Sequence, residues 1–192
     1  TKASEHVRRA ARAVGRVDVV GHAQLQWVGT GWLIAPDTVV TNRHVANEFG
    51  RSAGSRFAFR RGLADEPMAA SVDFLRELDR DDRFDFRVVE ILHIEEDDGP
   101  DLALLRVERP TSRFDPPAPI PLTAGKVSAE QQIAVIGYPA RDSRIPDQRL
   151  MQSIFGDVYD TKRLAPGQVT GVGPNVLLHD CSTLGGNSGS VL

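Results

Sequence analysis

The spacing of apolar residues changes character near residue 17. In TKASEHVRRAARAVGR, Val7, Ala10, Ala11 and Val14 recur at helical intervals behind Ser4 as an N-cap, while Arg8, Arg9, Arg12 and Arg16 fall mostly on other faces. This predicts a short amphipathic helix over residues 1–16 that packs on the body of the protein. From Val17 the pattern turns to short β-rich runs broken by Gly, Pro and Asp: VDVV, LQWVGTGWLIA, TVVTN, FRVVEILHI, LALLRV, IAVIGYP, GQVTGV and NVLLH. The chain reads as all-β. Phe114 to Leu122, FDPPAPIPL, carries four prolines that lack amide donors, so it reads as an extended connector and not a central strand. It separates a first β unit, residues 17–115, from a second, residues 116–192. Arg76 to Asp85, RELDRDDRFD, reads as a solvated loop or helix face.

Composition narrows the classes. A chain of 192 residues can bury roughly 70% of its unfolded surface and needs no covalent staples. Its 23 basic and 26 acidic residues are mixed along the chain, so no broad cationic face is available for a phosphate backbone. Nucleic acid is not expected as a partner. Cys181 is the single cysteine, which rules out an intramolecular disulfide and leans toward a reducing compartment. No apolar run approaches the roughly 20 residues that span a bilayer, and the N-terminus carries no signal-peptide core, so no membrane role is expected. The chain begins with Thr1 and not Met, and is expected to belong to a longer polypeptide. A cytoplasmic location is expected, with secretion as the alternative.

Chemistry gathers around Thr183 to Leu192, TLGGNSGSVL. A serine hydroxyl attacks a carbonyl only if a base removes its proton and donors stabilise the resulting oxyanion. Gly185, Gly186 and Gly189 permit a tight turn in which the amides of Gly186 and Ser188 point the same way. Among five histidines, His44 follows TVVTNR, where an apolar strand ends and an imidazole would stand at the rim. His6 lies on the basic helix, His22 in a Gly-flanked turn, and His93 and His179 within strands. Asp101, in GPDLALLRV, stands where a turn enters an apolar strand, a place that would bury a charge at a cost of several kcal/mol unless it is paired. Glu95, Glu96, Asp97 and Asp98 form a more easily solvated run, of which Asp97 and Asp98 are the next acids to consider.

The blocks GTGWLI, TNRHV around His44, DLALLRV around Asp101 and GGNSGS around Ser188 together resemble the chymotrypsin-like (trypsin-fold) serine proteases, closest to the bacterial glutamyl-endopeptidase and HtrA-type branches. The matched blocks run from about Trp27 to Leu192 in the family's order of His, Asp and Ser. The resemblance implies two antiparallel β-barrels with His44 and Asp101 on the first and Ser188 on the second. It implies a serine endopeptidase acting on proteins or peptides without a cofactor. Ser188 would be the nucleophile, His44 the base and then the acid, and Asp101 the group that orients His44. The amides of Gly186 and Ser188 would bind the oxyanion, and Ser182 would floor the specificity pocket. Asn187 stands where trypsin has an aspartate, so activation by an inserted N-terminus is not expected. Leu192 follows Ser188 by only four positions, so the second barrel is expected to be incomplete within this chain, with a further segment outside it. The rival expectation is a catalytically idle module that binds or regulates within a larger protein.

Other chemistries fit less well. GNSGS resembles the G-x-S-x-G elbow, but that arrangement needs its acid and histidine after the serine. His179 and Cys181 have no second ligand pair at metal spacing, and no metal is expected. GTGWLI lacks the third glycine and the strand-helix-strand setting of a dinucleotide site.

Overall fold

Residues 2–123, 125–141, 147–174 and 176–192 are described by the computed structural model; Thr1, at the start of the expected helix, and Asn175, at the start of NVLLH, lie outside them. In chain order the elements are α1 (Lys2–Arg12), β1 (Val14–Val20), β2 (Trp27–Ala35), β3 (Thr38–Thr41), α2 (Arg43–Ala46), β4 (Gly50–Ala53), β5 (Arg56–Phe59), β6 (Ala69–Asp73), β7 (Asp85–Ile94), β8 (Ala103–Glu108), β9 (Gln132–Gly137), α3 (Gln148–Phe155), β10 (Arg163–Val172) and β11 (Leu177–His179). The protein is all-β in its framework, as its short β-branched runs predict.

Six strands close an antiparallel barrel in the order β1-β2-β3-β8-β7-β6. Alternation decides what fills it: Val17, Val19, Leu33, Val39, Val72, Phe86, Ile91 and Leu105 turn inward and are buried. Each such side chain contributes about 1.5–3 kcal/mol by leaving water. Phe74, Phe84 and Phe86 cross edge to face at 4.8 and 5.0 Å, plugging the end of the barrel near β6 and β7. A separate hairpin, β4 with β5, lies outside the closed order and lays Phe57 and Phe59 against the same core.

The expected N-terminal helix is present but ends at Arg12. Val14, counted on its apolar face by spacing, instead opens β1 opposite Trp32. The reason is local: Ala13 N donates to Ala10 O at 2.9 Å, and Ala13 O then accepts from Leu33 N, so strand pairing captures the chain one residue after the helix. Val7, Ala10 and Ala11 pack on Val14, Ile136, Tyr138 and Val191, so the helix covers the junction between β1 and β9. Among the described residues no helix is long and apolar enough to cross a membrane.

The Pro-rich connector makes no strand and touches the barrel through Ile120 N donating to Leu33 O at 2.8 Å. Beyond it, β9, β10 and β11 form an open three-stranded antiparallel sheet, and Val191 bridges back to Ile136. Between β9 and β10, α3 was not anticipated by the β-rich reading. It is capped at both ends, by the Asp147 carboxylate accepting from Leu150 N at 2.8 Å and by Gly156 at φ +62°.

Buried polar groups join the sheet to the barrel. Lys162 Nζ donates to Phe74 O at 2.8 Å, and Arg16 Nη1 donates to Asp160 O at 3.2 Å. Burial pushes the Lys162 ammonium below its usual range, against the pull of Glu77. The 76–85 stretch is more than a solvated face. Arg83 reaches out of it to Asp18, at 2.8 Å, and lies 3.6 Å from the fully buried Asp73.

Candidate active site

A single helical turn presents the histidine. In α2, Val45 and Ala46 are buried in the barrel, which turns Arg43 and His44 outward. Asn42 N-caps the turn, and its Nδ2 donates to Asp101 O at 2.7 Å, fixing the start of β8 against the end of β3. The Asp101 carboxylate then takes two hydrogen bonds from one residue: His44 N at 3.0 Å and His44 Nδ1 at 2.6 Å. Burial works to raise the Asp101 pKa, yet the His44 amide, the His44 ring and the charge of Arg43 outweigh it, and the net displacement is downward. A group that stays a carboxylate only accepts, so the shared hydrogen belongs on Nδ1 and Nε2 keeps the free lone pair of the neutral ring.

Asp101 is not the buried charge its sequence context suggests. Its side chain is 41% exposed and that of His44 57%, because the pair stands on the rim of the barrel and not under it. The neighbouring acids are turned elsewhere. Asp97 lies fully exposed 3.6 Å from Arg43 Nε, and Glu95 faces His93 at 3.2 Å. Arg43 also donates to Glu96 O and, at 3.1 Å, to Gly99 O, which ties the acidic loop down beside the pair.

Ser188 arrives from the other side, docked on β2. Thr30 N donates to Ser188 O at 2.8 Å. Gly29 marks how close the two sides come. A Cβ placed there would lie 2.6 Å from Val45 Cγ2 and 2.9 Å from Ser188 O, so the residue after His44 and the carbonyl of Ser188 flank the same bare backbone. No hydrogen bond joins Ser188 to His44; contacts of this kind often tighten only when substrate binds. The turn itself depends on glycine at two points. Gly186 at φ +84° lies against Trp27 and Tyr138 O, and Gly189 at φ +85° lies against Thr30 O and Thr41 Oγ1, with no room for a methyl at either. Among the described residues the amides of Gly186 and Ser188 donate to no acceptor in the chain.

A cleft of about 420 Å³ opens beside Ser188, lined by residues that include Asn42, His179, Thr183, Leu184 and Ser190. Ser182 is not among the lining residues, whereas the next residue, Thr183, is. Cys181 is buried with Val135 and Ala165, and His179 is on β11. Asp18, Asp73 and Asp85 do converge elsewhere, around the guanidinium of Arg83. Sequence reasoning overlooked Thr30, Gly29 and Asn42. The signals available were a hydroxyl between two glycines in GTG and an amide two residues before the histidine.

A closed antiparallel barrel carrying a His–Asp pair on its rim, with a glycine-flanked serine docked against it, defines the class of trypsin-fold peptidases. Residues 29–192 match the family described as trypsin-like peptidase domain, and the chain belongs to that family. It is 31% identical to a probable serine protease of Lysobacter enzymogenes over 97% of this chain and 54% of that protein, so it spans about half of that relative's length. Solved structures that share the fold include these two. One is Rv3671c of M. tuberculosis in an inactive form, at TM-score 0.55 and 18% identity over 96% of this chain and 73% of that one. The other is a serine endoprotease from Yersinia pestis, at TM-score 0.50 and 21% identity over 99% of this chain and 52% of that one.

Proposed function

We propose that this chain is the catalytic region of a serine endopeptidase that cleaves proteins or peptides through an acyl-enzyme on Ser188. The observation that carries the reading is the His44–Asp101 contact of 2.6 Å on a turn whose next residue, Val45, shares Gly29 with the Ser188 carbonyl. In the proposed cycle His44 Nε2 takes the Ser188 Oγ proton as Oγ bonds to the scissile carbonyl carbon. The oxyanion forms against the amides of Gly186 and Ser188, each worth about 3–4 kcal/mol to the transition state when well placed. His44 passes its proton to the leaving nitrogen, the C–N bond breaks, and water repeats the sequence on the ester. Asp101 holds the ring in the required tautomer throughout. The catalytic groups are divided between the barrel, which carries His44 and Asp101, and the open sheet with its C-terminal turn, which carries Ser188.

The direct test is digestion of an unstructured protein followed by mass spectrometry of the fragments. Cleavage by the parent and none by Ser188→Ala or His44→Ala supports the reading. Fragments that persist in both variants would remove the chemistry from Ser188 and His44, and a parent that cleaves nothing would favour a binding module built on the same fold.

A further inference from the structure

The turn that carries Ser188 has its peptide planes pinned one after another. Gly185 O accepts from Ala140 N at 2.6 Å, Gly186 O from Thr30 Oγ1 at 2.8 Å, Asn187 O from Ser190 N at 2.9 Å, and Ser188 O from Thr30 N at 2.8 Å. The described peptides are all trans, so each pinned carbonyl sets the direction of the next amide hydrogen on the opposite side of its plane. Two of these planes deliver the amides of Gly186 and Ser188. The alternate two are held by one residue, Thr30.

Thr30 is itself immobilised. It is fully buried, its carbonyl accepts from the buried Thr41 Oγ1 at 2.7 Å, and its hydroxyl also accepts from Tyr138 N at 3.1 Å. The hydroxyl therefore donates in one direction only, toward Gly186 O. It also links β2 of the barrel to the end of β9 and to the serine turn at one atom. A residue chosen only to fill space in a barrel strand would need none of these bonds.

We infer that Thr30 is a positioning residue, which holds the Ser188 turn in the conformation that points the Gly186 and Ser188 amides at the reacting carbonyl. The role rests on the reading of Ser188 as nucleophile. Val at this position keeps the shape and the backbone amide but removes the hydroxyl, so the Gly186 carbonyl loses its only partner among the described residues, and the Gly186–Asn187 plane is left held by Asn187 N donating to Leu184 O at 3.2 Å. Ser keeps the hydroxyl and drops the methyl.

The experiment compares the parent, Thr30→Val and Thr30→Ser in two readouts at a temperature where all are folded. One is the saturation rate of labelling by a fluorophosphonate, resolved into the maximal rate and the half-saturating concentration. The other is amide hydrogen exchange across residues 184–190. Thr30→Val is expected to lose about 100-fold in maximal rate, as misplacement near 1 Å would cause, with the half-saturating concentration unchanged and exchange accelerated in this segment. Thr30→Ser is expected to stay within about threefold of the parent, because it keeps the donor. If Thr30→Val does not accumulate as folded protein, Thr41→Val releases Thr30 from its other side and is expected to show the same two changes at smaller size. Parent-like rates and exchange in Thr30→Val, or in Thr41→Val where that variant is the one read, overturn the role, as does a serine variant as slow as the valine one. A parent that takes no label at Ser188 overturns the catalytic reading as well, whereas a labelled parent with an indifferent valine variant overturns only Thr30.

Discussion

Gly29→Ala tests how tightly the histidine turn and the serine turn are joined. The added methyl carbon would lie 2.6 Å and 3.1 Å from the two Cγ atoms of Val45 and 2.9 Å from Ser188 O. Carbon contacts settle near 3.5–4.0 Å, so the methyl demands roughly 1 Å on the Val45 side and about half that on the Ser188 side. Val45 is fully buried and cannot swing away. Overpacking of this size costs about 1–3 kcal/mol, and each kcal/mol lowers the melting temperature by about 2–4 °C in a chain of this length. The catalytic loss should be larger than the stability loss implies, because a shift near 1 Å between base and nucleophile costs about 100-fold in rate. Gly31→Ala is the control: its methyl would press on Val39 Cγ1 at 2.8 Å and on Val17 inside the barrel, away from Ser188. The assay is fluorophosphonate labelling beside thermal melting, both well below the transition. Similar melting losses with a rate loss only in Gly29→Ala support the reasoning. Equal rates in the two variants would refute it.

Asp101→Asn should fold yet lower turnover by about 10⁴, measured by peptide hydrolysis, because the amide presents the wrong imidazole tautomer. Unchanged turnover would pass the orienting role to another acid, with Asp97 the first to test. The Asp101 pKa is held below its usual value, so its contribution to stability is present above about pH 4 and is lost as pH falls through the folded value. Melting curves of the parent and Asp101→Asn should therefore converge in acid below pH 4; a gap of constant size contradicts this. Burial pushes the Tyr138 hydroxyl well above its usual range, so the parent should lose stability above about pH 10, where only the unfolded chain ionises, and Tyr138→Phe should not share that loss. Identical alkaline limbs would contradict it. Cys181 is buried against Val135 and Ala165 and should resist thiol reagents in the native protein; rapid stoichiometric modification would show that this packing opens readily.

The barrel was largely legible because its strands carry dense β-branched runs. The strand β6 was not: AASVD is short, has two alanines, and buries Asp73, so neither alternation nor β propensity marks it. In α3 the pair Met151 and Phe155 and the Asp147 and Gly156 caps were readable signals, but they cover only eight residues inside a β-rich context. The His44 turn is four residues long, too short for any period to show. For the site, residue type and order pointed to His44, Asp101 and Ser188, while depth did not follow from sequence, and Asp101 proved half-exposed. Thr30 escaped notice because its role depends on partners about 110 and more than 150 residues away, Tyr138 and Gly186. The same holds for Arg83 and Asp18, whose pairing follows from β1 lying beside β6, which in turn pairs with β7.

Every step of the proposed cycle depends on Ser188 being activated by His44. Mass spectrometry of the chain after exposure to a fluorophosphonate reads this at one atom. The predicted result is a single adduct on Ser188 in the parent, with none in Ser188→Ala and a rate lower by about 10⁴-fold or more in His44→Ala, the range lost when a triad member is removed. A modification that falls on another residue, or an adduct on Ser188 that forms as fast without His44, would contradict it.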